Sequence, residues 1–222
     1  MIIRGRIGSW KVLVDLSPLK GLRWECVMCG ECCRGIGFAS TIRDMLSSIM
    51  GLPPLSGRDF LITVVCGLDE VIRISDFTGM PPSKFSIPIG GFVDNQGKLK
   101  CLWCGILRGP NGCVLLENNK CIAHPVKPVV CKLYPFVNHQ LKWDRNGRTL
   151  RVKVDVAPTC PYVGHGPVLR KKQLRQIGMD VLAFIRQVRF GGKGYTLEDV
   201  SRLWPHVKAI TADIGVKSRC LS

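Results

Sequence analysis

Four thiols fall within eight residues in Cys26-Val27-Met28-Cys29-Gly30-Glu31-Cys32-Cys33. The Cys-x2-Cys-x2-Cys spacing lets one loop wrap a single inorganic centre, because each two-residue step turns the backbone enough to aim the next thiolate inward. Gly30 suits such a loop, since it takes positive φ at no steric cost. Cys32 and Cys33 are adjacent and are expected to point differently. Cys26, Cys29 and Cys32 would then serve one centre while Cys33 joins another. The spacing favours an iron–sulfur cluster, 4Fe-4S first, whereas structural zinc more often pairs Cys-x2-Cys knuckles across a longer gap. Glu31, inside the loop, either tunes a redox potential or faces water.

More cysteines follow in Cys113-Val114-Leu115-Leu116, Cys121-Ile122-Ala123-His124-Pro125, Pro128-Val129-Val130-Cys131-Lys132-Leu133-Tyr134-Pro135-Phe136 and Cys160-Pro161. With the Cys26 to Cys33 run, this order resembles the CxxCxxCC cysteine-cluster family, the YkgJ-like proteins described as zinc- or iron-chelating domains or Fe-S oxidoreductases. The likeness covers roughly residues 24 to 162 and includes a weaker match at Asp69-Glu70-Val71-Ile72-Arg73-Ile74. It implies Cys26, Cys29, Cys32, Cys33, Cys113, Cys121, Cys131 and Cys160 as metal ligands. His124 stands where the family usually has tyrosine, which leaves its imidazole either a ligand or a packing group. Eight thiolates suit two four-coordinate centres, or one cluster plus one zinc. Cys160-Pro161 fits the remote fourth ligand, since bacterial ferredoxin runs end in a Cys-Pro pair.

Cys101-Leu102-Trp103-Cys104 is a separate pair, open to three readings: a zinc knuckle, a redox dithiol or a disulfide. Cys66 reads as a buried thiol in an apolar strand, and Cys220 as an incidental thiol near the end of the sequence. No signal peptide is evident and no apolar run approaches the roughly 20 residues of a membrane span. A cytoplasmic protein is therefore expected, in which dense cysteine means metal or redox work before disulfides, hyperthermophiles excepted.

The chain has 222 residues and a formal charge of +16, from 32 basic and 16 acidic residues. Such an excess favours an anionic partner. Nucleic acid comes first, an anionic membrane surface second, and a merely solvated basic surface is the alternative. RNA, above all ribosomal RNA in a ribonucleoprotein, is the expected partner. The expected contacts are Arg4, Arg6 and Lys11 near the N-terminus and Arg170, Lys171, Lys172, Arg175, Arg186, Arg189 and Lys193 on a later helix. Trp10, Trp24, Trp143 and Tyr195 would stack on unpaired bases or pack in the core.

Enzymatic chemistry has little support. A radical S-adenosylmethionine Cys-x3-Cys-x2-Cys run is absent, because starting from Cys29 its last position falls on Ile36. Some members of the resembled family are similar to protein lysine methylases, yet no Gly-rich loop here marks a methyl-donor site. Gly191-Gly192-Lys193-Gly194 reads as a helix stop rather than a phosphate loop. His124, His139, His165 and His206 have no carboxylate placed to tune them. An Fe-S electron-transfer protein or oxidoreductase, its substrate unknown, is the alternative to an RNA-binding metalloprotein.

The positioning elements follow from periodicity. Residues 10 to 16 alternate as a strand that Ser17-Pro18 ends. Ile42, Met45, Leu46 and Ile49 have helical spacing, Leu61 to Val65 reads as a buried strand, and Asp69 is expected to cap a helix ending at Gly79. Between residues 80 and 165, Pro, Gly and Cys predict sparse regular structure tied by metal, apart from a hairpin over 142–156 turning at Asn146-Gly147. An amphipathic basic helix follows Pro167, then another capped by Thr196 with Leu197, Val200, Leu203, Trp204, Val207 and Ile210 as its stripe. The expected fold is α+β: a loop-rich cysteine-cluster domain over 1–166 with short strands and helices, then a basic helical segment over 167–222.

Overall fold

Trp10, Val12 and Val14 are buried while Lys11 is exposed, so the alternation read from residues 10 to 16 does form a strand, with one face in the core. In the computed structural model, which describes residues 1–34, 62–93, 96, 98–190 and 194–205, this strand belongs to a mixed sheet. Its members are β1 (Ile2–Ile7), β2 (Trp10–Asp15), β9 (Asn138–Asp144) and β10 (Thr149–Asp155), in the order β1-β2-β10-β9. β2 and β10 pair in parallel, and the two outer pairings are antiparallel. The hairpin expected over 142–156 is β9–β10. Asp144 Oδ1 accepts from the Gly147 amide at 2.9 Å in its turn.

A second, antiparallel sheet has the order β3-β5-β4, from β3 (Ile62–Gly67), β4 (Ser86–Val93) and β5 (Leu99–Gly109), with the short β6 (Gly112–Cys113) continuing from β5. This corrects the expectation of sparse regular structure between 80 and 165. β5 is buried from Cys101 to Ile106 without a break, so it shows no alternation to read. β4 carries Pro88, Gly90 and Gly91, which it tolerates as an edge strand with a register shift between Pro88 and Gly90.

The one-turn helix α1 (Glu31–Arg34) follows the cysteine loop, and α2 (Leu68–Thr78) follows β3. Asp69 is not the cap of α2. Gly67 holds that position, and the Glu70 carboxylate returns to its amide at 3.2 Å. Gly79, left-handed at φ 71°, ends the helix as expected. A short α3 (Pro82–Phe85) leads into β4, and α4 (Val129–Leu133) carries Cys131.

The basic helix is α5 (Lys171–Phe190), whose Ile177, Val181, Phe184, Ile185 and Val188 are buried against strands of both sheets and against α4. Trp103 on β5 donates through Nε1 to the Val188 carbonyl at 2.6 Å, fastening the end of α5 to the second sheet. Thr196 caps α6 (Leu197–Leu203) through a reciprocal pair with Asp199. Trp204 then anchors its indole on the Ser86 carbonyl at 2.9 Å. The fold is α+β. The helix expected around residues 41 to 50, Lys193, Val207, Ile210, His206 and Cys220 lie outside the described residues.

Candidate metal centre

The cysteine loop is held by its two flanks. On its entry side the Trp24 amide donates to the Pro167 carbonyl at 3.1 Å and the Gly164 amide to the Arg23 carbonyl at 2.9 Å, which lays residues 22 to 24 beside the chain just past Cys160. On its exit side Arg34 donates to the Cys29 carbonyl at 3.3 Å and also to Asn119 and Glu31. Gly30 has the expected positive φ of 79°.

Asn118 and Asn119 both have positive φ and form the two-residue turn of a small hairpin, β7 (Leu116–Glu117) with β8 (Lys120–Cys121). Arg34 thus ties α1 to the hairpin that carries Cys121. At Gly112 the approach is closer still. Its φ is 117°, and a Cβ there would lie 2.5 Å from the Cys33 carbonyl oxygen, so only glycine lets β6 bring Cys113 against α1.

These contacts bring six of the eight candidate ligands to one cavity of about 250 Å³: Cys26, Cys32, Cys33, Cys113, Cys121 and Cys131. Tyr134, Lys120, Lys127 and His124 also line it. Cys29 and Cys160 are not among its lining residues, but both act electrostatically on Tyr134. Burial raises that phenol's pKa first, the Thr159 hydroxyl opposes this, and the fields of Cys160, Cys32 and Cys29 raise it further.

Cys32 and Cys33 do not point differently, as their adjacency suggested. They sit on one helical turn with their sulfurs 3.9 Å apart and face the same cavity. The hydrogen bond from Cys33 holds the Cys32 thiol down at about 7, with Lys127 assisting against burial. Cys33 is correspondingly raised, first by that bond and then by burial. Burial also raises Cys121 and, further, Cys131. The His124 pKa is lowered by burial first and then by Lys127, whose ammonium stands 3.4 Å from Nε2. Among the described residues, no group of three or more Cys, His, Asp or Glu side chains is closed to metal-binding spacing.

Thiolates are soft donors that suit zinc and iron–sulfur clusters, and two lysines at the same cavity offset thiolate charge. The donor set therefore fits the group. Cys26, Cys32, Cys33, Cys113, Cys121 and Cys131 would hold it, and it would supply either a rigid crosslink or one-electron chemistry.

The remaining cysteines are placed otherwise. Cys101 and Cys104 are three residues apart on one strand and project from opposite faces, so the strand does not bring them together as a pair. Cys104 stands opposite Cys66 across β3 and β5, and the Cys66 thiol donates to the Cys104 carbonyl at 3.6 Å. Burial keeps both protonated.

Two features escaped sequence reasoning. Tyr134 lines the cavity, and Glu70 is a buried carboxylate whose two oxygens take the Gly67 and Val129 amides. Nothing in the local sequence marks Glu70 as buried, because its partner Val129 comes 59 residues later.

Among the expected RNA contacts, Arg4, Arg6, Lys11, Arg170, Lys171, Lys172, Arg175 and Arg186 are exposed. Trp10 and Trp143 instead pack edge to face at 5.1 Å, and Trp24 packs on Phe136 at 4.9 Å, so these rings serve the core. No family model, curated protein or solved structure matches this chain.

Proposed function

We propose that this chain is a metal–thiolate protein, iron–sulfur in first place and zinc in second, whose basic surface binds RNA. The observation that carries the metal half is the meeting of six cysteines from four separate stretches at one cavity. An apolar core has no use for six thiols at one void, whereas a metal centre needs soft donors drawn from distant segments. The centre ties α1, β6, β8 and α4 together from within. Its chemistry, once loaded, is that of a rigid crosslink or a one-electron store. The chain's own residues aim the thiols, keep Cys33, Cys121 and Cys131 protonated until a metal displaces the protons, ease Cys32 toward thiolate, and supply cations at the cavity. The resemblance to the cysteine-cluster family implies these six cysteines together with Cys29 and Cys160.

The RNA half rests on the +16 charge and on eight candidate cations being exposed rather than buried. Purification without oxygen, followed by iron, zinc and acid-labile sulfide analysis and a visible spectrum, tests the metal half. Iron with sulfide and a dithionite-bleached spectrum, or stoichiometric zinc, is the expected result. A chain free of both would end the reading. The RNA half requires affinity that falls steeply with salt.

A further inference from the structure

Strand register makes a specific surface out of cations that are scattered in the sequence. On β1, Ile3 and Gly5 face the helix α5, so Arg4 and Arg6 face away from it. Arg4 lies opposite Leu13, Leu13 opposite Arg151, and Arg151 opposite Lys142, forming one row across all four strands. The neighbouring row holds Arg6 opposite Lys11, and Lys153 stands in the row on the other side. Arg4, Arg6, Lys11, Lys142, Arg151 and Lys153 are all exposed. Among the described residues none of the six enters an ion pair.

Three acids share this face, and each is the last residue of its strand with an oxygen already engaged. Asp15 accepts from the Ser17 amide at 2.9 Å, Asp144 from the Gly147 amide at 2.9 Å, and Asp155 from the Val156 amide at 2.8 Å. Asp144 shares a row with Arg6 and Lys11, and Asp15 stands opposite Lys153, whose charge helps lower its pKa, so the face keeps an excess of positive charge.

We infer that the outer face of the β1-β2-β10-β9 sheet is the docking surface for the phosphate backbone of double-helical RNA, with Lys142, Arg151 and Lys153 as contacts beyond those read from the sequence. The inference rests on the RNA-binding half of the proposed function. Three inter-strand gaps make the face about 14 Å wide before side chains are added. That is too broad to enter a B-DNA major groove of about 12 Å, but it can lie across the wide, shallow minor groove of A-form RNA. The face carries little apolar surface for insertion into a membrane: Leu13 at its centre is half-buried, and the exposed Ile2 stands at its end.

The test is fluorescence anisotropy with a 20-base-pair RNA duplex of mixed sequence at several salt concentrations. Wild type is compared with the triple variant R4Q/K142Q/R151Q and with K171Q/K172Q/R175Q on α5. The sheet variant is expected to bind at least about tenfold more weakly, with a log–log salt slope shallower by about 2 to 3. The α5 variant, which removes three of the cations on which the RNA-binding reading also rests, should weaken binding too, but less than the sheet variant does. The single variants R4Q, K142Q and R151Q, each expected to lose about threefold, carry the same test should the triple unfold.

A wild type that binds the duplex while only the α5 variant weakens overturns this inference alone. A metal-loaded wild type that does not bind the duplex overturns the RNA half of the function as well. Equal or tighter binding to DNA of the same sequence, or to phosphatidylserine vesicles, contradicts the choice of partner.

Discussion

The Glu70 carboxylate accepts a 2.7 Å hydrogen bond from the amide of Val129. Its other oxygen takes the Gly67 amide, so one buried side chain joins the start of α2 to the start of α4, two residues before Cys131. Burial raises its pKa, while the two amides and Arg73 oppose that rise. Glu70→Ala leaves two amides without acceptors and should cost about 2 to 4 kcal/mol. Glu70→Gln keeps an acceptor for one of them and should cost less. Urea titration of the metal-loaded proteins checks the order; equal stability of Glu70→Ala and wild type would show that the link carries no energy.

Gly112 should tolerate no side chain. The combination of φ 117° and a 2.5 Å approach to the Cys33 carbonyl oxygen means that Gly112→Ala must move β6 away from α1. Lower metal stoichiometry and a loss of at least about 1 to 3 kcal/mol are expected. Gly21→Ala is the matched control, since its φ is also positive, at 77°, but nothing lies within 4 Å. It should lose stability from backbone strain alone and keep its metal, as elemental analysis of the two proteins would show.

His139 sets an acid limit on stability. Its Nε2–H donates to the Phe136 carbonyl at 2.9 Å, and burial depresses its pKa from 6.5 to about 4 despite that bond. Between these values the unfolded chain binds the proton and the folded chain does not. Its contribution is therefore complete above pH 6.5 and is lost as pH falls toward 4, to a total of at most about 3 kcal/mol. Chemical denaturation across this window should show the loss in wild type and a smaller one in His139→Gln. An imidazole that titrates near 6.5 by NMR would refute it.

Elements with a period were legible in advance, and elements without one were not. The β2 alternation, the β9–β10 turn at Asn146-Gly147, the Gly79 stop and the Thr196 cap are local effects, written within a few residues of where they act. β5 hid because it is buried on both faces, and β4 because its edge position excuses a proline. At the site, the spacing from Cys26 to Cys33 announced the loop, but the shared orientation of Cys32 and Cys33 depends on α1 being held by Arg34 and Gly112. Those contacts, like the pairing of Glu70 with Val129, come from chain neighbours far away in sequence.

Removing metal should separate the cysteines into two reactive classes. Cys66, Cys101 and Cys104 are buried in the second sheet and should resist iodoacetamide in native protein with or without metal. Cys32, Cys113 and Cys121 are half-buried at the cavity and should react only after chelation. Since burial raises Cys121 and Cys131, reloading must displace their protons, and affinity should rise with pH. Mass spectrometry of alkylated peptides reads the classes; labelling of Cys104 ahead of Cys121 in folded apoprotein would contradict the placement.

X-ray absorption at the metal edge, on protein purified without oxygen, tests the convergence of distant thiols most directly. It should be read together with metal content in the single serine variants of Cys32, Cys113, Cys121 and Cys131. A sulfur shell near about 2.3 Å in wild type, with metal lost from variants in the loop, β6, β8 and α4 alike, is the predicted result. A metal-free wild type, an oxygen or nitrogen shell, or loss confined to the Cys32 variant would contradict it.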